Sequence, residues 1–202
     1  LAAIAKAVRE HKDNIIEANA LDIEAAKQNG MSESLLDRLT LTSERIEGMA
    51  KGVEEVLALK DPIGTVLDGM VQSNGLKIEK VRVPLGVIGM IYEARPNVTS
   101  DAAALCLKSG NAVILRGGKE AFHSNQCITN IMQTALEQVG LSGNCVQLVQ
   151  NTSRESANEM MRLTEYLDVL IPRGGAGLIK AVVENAKVPV IETGSGNCHV
   201  YV

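Results

Sequence analysis

Beyond Pro84 the chain alternates between short apolar runs rich in β-branched residues and longer amphipathic segments, with glycine-bearing turns between them. The apolar runs occupy 87–92, 112–115, 146–149, 169–171 and 188–191, and the helical patterns lie at about 98–109, 121–139, 153–164 and 176–186. Strands that alternate with helices at this spacing predict βαβ crossovers, because parallel strands need long connections. We therefore expect an α/β fold over 84–202, with a doubly wound, mostly parallel sheet.

Residues 1–60 are predicted to form an N-terminal helical segment. Apolar residues recur there near a 3.6-residue period on both sides of Gly30, which is a predicted helix end. The segment 61–83 is predicted to be a linker and a strand arm, because Asp61 to Gly64 interrupts the helical pattern and 76–83 alternates imperfectly between apolar and polar residues. We expect this arm to lie outside the main sheet.

Charge and composition argue against several classes of protein. Lys and Arg number 20 against 24 Asp and Glu, a net charge of -4, and no basic cluster is interleaved with aromatic residues, so nucleic-acid binding is not expected. No apolar run approaches the ~18 residues of a membrane span, and the N-terminal residues are unlike a secretory signal, so no membrane partner and a cytoplasmic location are expected. The cysteines form no Cys-x-x-Cys pair, which predicts reduced thiols and no metal site.

Ligands of open α/β sheets bind beyond the carboxyl ends of the strands, so the loops after the predicted strands are the candidate sites. These loops are 93–97, 116–120, 151–154, 172–177 and 192–197. Neither standard phosphate fingerprint is present, since no Gly-x-Gly-x-x-Gly follows a strand and Gly118-Lys119 is followed by Glu120 instead of Ser or Thr. An ATP-binding P-loop is therefore excluded.

Two of the loops suit an anion. The loop 116–119 places two cations and two glycine amides at a predicted helix N-terminus, which is either an anion site or a solvated turn. The loop 172–177 again joins a strand to a helix, and its glycines either let backbone approach a phosphate or pyrophosphate or serve only a tight connection.

Single polar residues near the strand ends have competing interpretations. Asn97 suits a helix N-cap as well as a ligand contact, whereas Arg95 has no capping reason to be there and suits a bidentate grip on a carboxylate or phosphate. Glu192 is either a satisfied loop cap or a group for ribose or water chemistry. His199 adjoins Cys198, but strand alternation sends the two side chains to opposite faces, so both are interpreted as structural, with a substrate-lining role open to His199.

Three segments, taken together, carry a family resemblance. The run PLGVIGMIYEARPNVTSDAAALCLKSGNAVILRGGKEAFHSN, continued by IPRGGAGLI and VPVIETGSGNCHVYV, resembles the gamma-glutamyl phosphate reductases, a branch of the aldehyde dehydrogenase superfamily. The resemblance extends over essentially the whole chain. It implies a Rossmann-like sheet of the aldehyde dehydrogenase type and NADPH-dependent reduction of L-glutamyl 5-phosphate to L-glutamate 5-semialdehyde, with release of phosphate, in proline biosynthesis. In such enzymes a cysteine thiolate attacks the acyl carbon before hydride reduces the thioester.

The resemblance also implies roles for matching residues. Arg116, Gly117, Gly118 and Lys119 match the loop at the adenosine ribose, where their charge suits the 2′-phosphate of NADP. The pyrophosphate loop is matched by Pro172, Arg173, Gly174, Gly175 and Ala176, and Glu192 matches a superfamily acid that serves either as a general base or toward the cofactor. Asn97 is the candidate oxyanion donor, Arg95 the anion anchor, and Arg95, Asn97 and His199 are the expected substrate contacts.

The family's nucleophilic cysteine is expected in a catalytic domain beyond Val202. None of the cysteines present matches it: Cys106, Cys127, Cys145 and Cys198. The chain is thus expected to be the N-terminal, cofactor-binding portion of such an enzyme and inactive alone. The alternative is a non-catalytic nucleotide-binding or oligomerisation module. A kinase–reductase parent or functional coupling to glutamate 5-kinase stays open, and relatives that exchange strands between subunits suggest a homo-oligomer formed through the arm at 76–83.

Overall fold

A computed structural model of the chain describes residues 1–192, 194 and 199–201. Within these residues the strands, numbered β1 to β6, are Val66–Val71, Lys77–Val81, Val87–Tyr92, Ala112–Arg116, Val146–Leu148 and Val169–Arg173. The α-helices, numbered α1 to α8, are Ala2–Glu10, Lys12–Gln28, Glu33–Leu39, Ser43–Ala58, Asn97–Lys108, Phe122–Gln138, Arg154–Met160 and Ala176–Asn185. Short 3₁₀ turns occupy Lys119–Ala121 and Gly143–Cys145.

Four strands form a parallel sheet in the order β5-β4-β3-β6, which confirms the predicted α/β fold. The prediction of a fifth strand at 188–191 is wrong within the described part of the chain. There Val190 makes only an isolated parallel bridge to Leu170. Pro189 has no N–H to donate, so a regular ladder cannot extend through this run.

Helices cover both faces of the sheet because the side chains of the central strand β3 alternate between two cores. Ile88 and Tyr92 face the core that includes α1, α4, α5 and α6, whereas Ile91 faces the core formed with α7 and α8. All three side chains are at most 4% exposed. The sheet is therefore doubly wound, as predicted, and its continuous apolar strands are explained by burial on both sides.

The N-terminal segment contains four helices and packs against the sheet domain. Ile4 and Val8 of α1 are fully buried and belong to the same core as β3 and β4. Two buried polar residues of α2 add specific contacts to α6, since Asn19 Nδ2 donates to Ser124 Oγ (3.0 Å) and Ser124 Oγ donates to Asp22 Oδ2 (2.6 Å). The helical segment thereby becomes part of the structure that positions the candidate site.

The segment at 66–81 forms an antiparallel hairpin that is separate from the parallel sheet. The strand expected at 76–83 is β2, and its partner β1 was not predicted. Every residue of both strands is exposed. No helix of the described chain combines the length and the apolar character that a membrane crossing requires.

Candidate active site

The polar loops that follow the parallel strands meet at one edge of the sheet. The chain passes from β3 to β4 and β5 and then returns to place β6 on the other side of β3. The boundary between β3 and β6 is therefore the point at which the strand order reverses, and such points are where open α/β sheets bind ligands. The loops at 93–97 and 173–175 lie side by side there.

A groove of about 670 Å³ runs along this edge, between the loop after β4 and the helices α7 and α8. Its lining includes Gly118 and Lys119 from the loop, Arg154 and Asn158 from α7, and Leu178 from α8. We refer to it as the large groove. Its volume falls within the roughly 300–1,000 Å³ typical of small-molecule and cofactor sites.

Arg116, the last residue of β4, ties two loops together at the wall of the large groove. Its Nη2 atom donates hydrogen bonds to the carbonyl oxygens of Thr152 (2.7 Å) and Ser153 (2.8 Å). Partial burial lowers the pKa of the guanidinium, which stays charged at neutral pH. The Nε atom is buried and has no hydrogen-bond partner among the described residues. Arg116 thus leaves one donor unsatisfied at the groove.

The glycines after Arg116 differ in what surrounds them. A Cβ at Gly117 would overlap the side-chain amide of Asn125 and lie 3.2 Å from Tyr92 Cζ. Asn125 Oδ1 accepts a hydrogen bond from Thr99 Oγ1 (2.9 Å), which is itself 2.7 Å from Tyr92 Oη. Gly117 is therefore required by a buried polar cluster, while Gly118 borders the large groove.

The predicted α-helix N-terminus directly after this loop is not observed, whereas the choice between an anion site and a solvated turn stays a prediction. A 3₁₀ turn, Lys119–Ala121, intervenes before α6 begins at Phe122. The first N–H groups of α6 are occupied by the carboxylate of Asp22, which accepts from His123 N (3.1 Å) and Ser124 N (2.8 Å). Helix starts leave such donors without intrahelical partners, and α2 satisfies them here.

A smaller cavity of about 300 Å³ lies at the boundary between β3 and β6. Three arginines line it: Arg38 of α3, Arg95 of the loop after β3, and Arg173 at the end of β6. Leu35 and Val98 add apolar surface to the lining. We refer to this cavity as the arginine cleft. Three guanidinium groups within so small a volume favour an anionic ligand.

Glu93 borders both the large groove and the arginine cleft. Its Oε2 atom accepts a hydrogen bond from Gly175 N (2.8 Å), which holds the loop after β6 against the loop after β3. A Cβ at Gly174 would lie 2.7 Å from Glu93 Cδ and 2.8 Å from Leu178 Cδ2, so only glycine fits there without displacement. The two cavities therefore meet at one carboxylate.

Asn97 is not the N-cap of α5. Pro96 occupies the cap position with helical backbone angles (φ −58°, ψ −29°), so Asn97 already belongs to the first turn. Its Nδ2 atom donates to Asp101 Oδ2 (3.0 Å). Burial raises the pKa of Asp101, and the bond from Asn97 and the charge of Arg173 oppose that rise. Asn97 and Asp101, together with Arg95, line a third cavity between α4 and α5, the side groove, whose volume of about 720 Å³ is similar to that of the large groove.

The remaining candidate residues are dispersed. Pro172 is buried within β6, and Arg173, Gly174 and Gly175 line the arginine cleft. Ala176 and Glu192 line a separate pocket of about 280 Å³ beside α8. His199 is exposed and lines none of the cavities described here, and Cys198 lies outside the described residues.

No cysteine among the residues that the structure describes borders the large groove or the arginine cleft. Cys106 lies inside α5 and is 4% exposed, and burial raises the pKa of its thiol to about 11. Burial also raises the pKa of Cys127 in α6. These thiols are poorly suited to act as nucleophiles, because the thiolate is the reactive form.

The sequence interpretation did not single out Arg38 or the bridging position of Glu93. Arg38 carried no signal, because it lies in a seven-residue helix far from any glycine turn. Glu93 had a recognisable sequence signal, because it is an acidic residue directly after the central buried strand. Across the part of the chain described, no three His, Cys, Asp or Glu side chains are grouped to hold a metal ion.

Comparison with known sequences finds a family match. The sequence model of the aldehyde dehydrogenase family matches residues 1–200. A gamma-glutamyl phosphate reductase of Halothermothrix orenii is 59% identical over 202 residues, which are 100% of this chain and 48% of that protein. The chain thus spans about half the length of the curated relatives it matches.

Comparison with solved structures finds proteins of the same name. The crystal structure of a gamma-glutamyl phosphate reductase from Thermotoga maritima superposes with a TM-score of 0.95 at 49% identity, covering 98% of this chain and 48% of that one. The corresponding yeast enzyme, from Saccharomyces cerevisiae, gives a TM-score of 0.86 at 34% identity, covering 94% of this chain and 48% of that one.

Proposed function

The chain belongs to the aldehyde dehydrogenase family, and from that premise we propose that it is the N-terminal, cofactor-binding portion of a gamma-glutamyl phosphate reductase. The proposed reaction is the NADPH-dependent reduction of L-glutamyl 5-phosphate to L-glutamate 5-semialdehyde and phosphate, a step of proline biosynthesis. The large groove is proposed to hold the cofactor and the arginine cleft to face the substrate.

The contact of the two cavities at Glu93 is the observation that carries this proposal. Hydride transfer requires the donor and acceptor carbons to be within van der Waals contact, so the cofactor and substrate cavities must adjoin. Glu93 also fixes the loop at 174–175 between them through its hydrogen bond to Gly175 N. A binding module without catalysis has no need of this adjacency.

The residues of the large groove fit a dinucleotide phosphate. When bound, the nicotinamide cofactor would supply a hydride. Lys119 and Arg116 put positive charge beside the groove, and Arg116 Nε is a buried donor that still lacks a partner among the described residues. We assign the ribose 2′-phosphate to the end of the groove with Lys119, and we assign the pyrophosphate to the wall formed by the first turn of α8 at Gly177.

The oxyanion of the reacting acyl group is assigned to Asn97, and Arg95 is assigned the role of an anion anchor beside it. Asn97 uses one N–H of its amide on Asp101, which leaves the second available to a ligand. Arg95 borders both the arginine cleft and the side groove, which Asn97 also lines, so it puts positive charge near Asn97. We attribute the nucleophilic thiolate to the part of the relatives that this chain does not span.

The exposed hairpin is proposed to mediate self-association. Met70 and Ile78 are cross-strand partners in the hairpin and are 56% and 44% exposed. A two-stranded hairpin that exposes apolar side chains and unpaired outer edges favours association with another chain. Light scattering coupled to size-exclusion chromatography should detect an assembly larger than 21.5 kDa that the double variant Met70→Lys/Ile78→Lys disrupts. Unchanged mass in the variant would argue against this surface.

Nucleotide titration tests the cofactor assignment. The chain should quench or enhance NADPH fluorescence on binding, and NADPH should bind more tightly than NADH. Lys119→Met should narrow that preference, because it removes charge proposed to face the 2′-phosphate. Lys27→Met, an exposed lysine of α2 outside all the cavities, is the matched control and should leave the preference unchanged. Absence of binding by the folded chain would contradict the assignment.

Phosphate-dependent reduction of NADP by L-glutamate 5-semialdehyde, the reverse reaction, tests the position of the nucleophile. The chain ending at Val202 should be silent, because no described cysteine borders the proposed site. Turnover by a chain of confirmed mass would mean that one of its own four cysteines is the nucleophile.

A further inference from the structure

The arginine cleft is strongly cationic on an acidic chain. Its lining contains three arginines and one carboxylate, whereas the whole chain has a net charge of -4. The carboxylate, Glu93, already accepts a hydrogen bond from Gly175 N. No hydrogen bond or salt bridge to a described residue engages the side chain of Arg38, Arg95 or Arg173. Glu93 and the nearby Asp101 offset only part of the mutual repulsion of the three guanidinium groups, so a bound anion would offset it further.

Hydrogen bonds made by the residues directly before and after Arg38 hold its backbone at the cleft. Asp37 Oδ1 accepts from Arg45 Nη2 (2.8 Å), and the carbonyl oxygen of Leu39 accepts from Asn19 Nδ2 (2.9 Å). Leu39 is fully buried. The backbone of this short helix is thus fixed, and only the exposed side chain of Arg38 remains to adjust to a ligand.

The size and lining of the cleft define the ligand class. About 300 Å³ accommodates a small molecule, and Leu35 and Val98 provide an apolar wall for a short carbon chain. Guanidinium groups pair with phosphate oxygens in bidentate geometry, and several around one group suit a dianion better than a monoanion. The cleft therefore suits a phosphate group on a short aliphatic stem.

We propose that Arg38, Arg95 and Arg173 together bind the phosphate group of the acyl phosphate substrate, with Arg38 supplied by the N-terminal helical segment. This inference rests on the proposed function for the identity of the substrate. It assigns Arg173 to the substrate phosphate instead of to the cofactor. It also makes the same cleft the site that inorganic phosphate occupies on release and on entry in the reverse direction.

Titration of the chain with inorganic phosphate, without nucleotide, tests the proposal. The Nε–H resonances of arginine in ¹⁵N-labelled protein report the ligand, with sodium chloride at matched ionic strength as the reference. Phosphate should shift resonances that disappear in Arg38→Met, Arg95→Met and Arg173→Met. Arg38→Met should weaken phosphate binding about tenfold. The phosphate affinity of Arg38→Lys should lie between those of Arg38→Met and the unchanged chain, because lysine keeps the charge but not the bidentate geometry.

The matched control is Arg82→Met, which removes the same charge from an exposed position on the segment after β2. It should change phosphate affinity by less than about twofold. Equal weakening by Arg38→Met and Arg82→Met, or no measurable phosphate binding to the folded chain, would overturn the proposal. Displacement of phosphate by NADPH in direct competition would also overturn it, since the ion would then occupy the large groove.

The same variants separate this inference from the proposed function. Arg38→Met should bind NADPH as the unchanged chain does, because Arg38 does not line the large groove. Phosphate binding that depends on Arg38 in a chain that binds no NADPH would keep the cleft and refute the cofactor assignment. NADPH binding by a chain whose phosphate affinity does not depend on Arg38 would keep the cofactor assignment and refute the phosphate site in the cleft.

Discussion

Replacing Asp22 by alanine should destabilise the chain more than any other single removal of a carboxylate. Asp22 is 3% exposed, and its carboxylate accepts hydrogen bonds from Ser124 Oγ (2.6 Å), Ser124 N (2.8 Å) and His123 N (3.1 Å). It therefore caps α6 from a different helix. The variant removes the acceptor of three donors at the junction of the helical segment and the sheet domain.

The magnitude follows from those three donors. A buried donor left without an acceptor costs about 1–3 kcal/mol, and an ordinary helix cap is worth about 0.5–2 kcal/mol. The three donors share one carboxylate, so their contributions are not additive, and we expect a total loss of about 3–5 kcal/mol. Asp22→Asn keeps one carbonyl oxygen as an acceptor and should lose about half as much.

Urea unfolding followed by circular dichroism measures this loss as a shift in the free energy of unfolding. Glu17→Ala, on the exposed face of the same helix, removes one carboxylate that makes no described hydrogen bond, and should stay within about 0.5 kcal/mol of the unchanged chain. A loss below about 1 kcal/mol for Asp22→Ala would show that water replaces the carboxylate, and the cap would then be worth little.

Three further outcomes are expected. Gly174→Ala should lower the free energy of unfolding, measured in urea titrations, by about 1–3 kcal/mol because its Cβ would be forced against neighbouring side chains. At Gly177 a Cβ would have no heavy atom within 4 Å, so Gly177→Ala should leave the free energy of unfolding unchanged or raise it by up to about 1 kcal/mol. Cys106 should resist thiol reagents at about pH 8 until the chain unfolds, because it is buried and its pKa is raised to about 11, while the more exposed Cys145 reacts in the folded state. Burial raises the pKa of Asp101, so ionising this carboxylate lowers the stability of the folded chain as the pH rises above the ordinary pKa of 3.8. The free energy of unfolding of Asp101→Asn, relative to that of the unchanged chain, should therefore increase between about pH 4 and about pH 7. Equal effects of the two glycine variants, rapid labelling of folded Cys106, or a constant advantage of Asp101→Asn would refute the respective arguments.

The parallel sheet could be predicted because its strands are short, apolar and β-branched, and because helical patterns of sufficient length separate them. The strand at Val87–Tyr92 and the helix at Phe122–Gln138 lie close to their predicted bounds. The strand at Val66–Val71 could not be predicted in this way, because Asp68 and Gly69 break the alternation of apolar and polar residues. Pairing with β2 overrides that weak local preference.

The candidate site was predicted only in part, for a different reason. Its location at the strand ends follows from the topology of parallel sheets, so the loops could be found from the sequence. Convergence of side chains depends on tertiary packing, and Arg38, Arg95 and Arg173 belong to separate elements that only the folded chain brings together. The N-cap interpretation of Asn97 failed because Pro96, with its fixed φ, is compatible with the first helical turn.

Two buried polar residues of α2 fix the neighbouring helices, including α3, which carries Arg38. A seven-residue helix such as α3 is far too short to be stable alone, so its position must come from tertiary contacts. Asn19 supplies them by bonding to the carbonyl of Leu39 and accepting from Leu41 N (2.7 Å), and Asp22, one turn further along α2, fixes the same helix to α6. An apolar residue at either position would bury well but would leave these donors unsatisfied and the register of α2 unspecified. The polar stripe of α2 thus gives up apolar burial to fix α3 and α6, and through α3 it places Arg38 beside the candidate site.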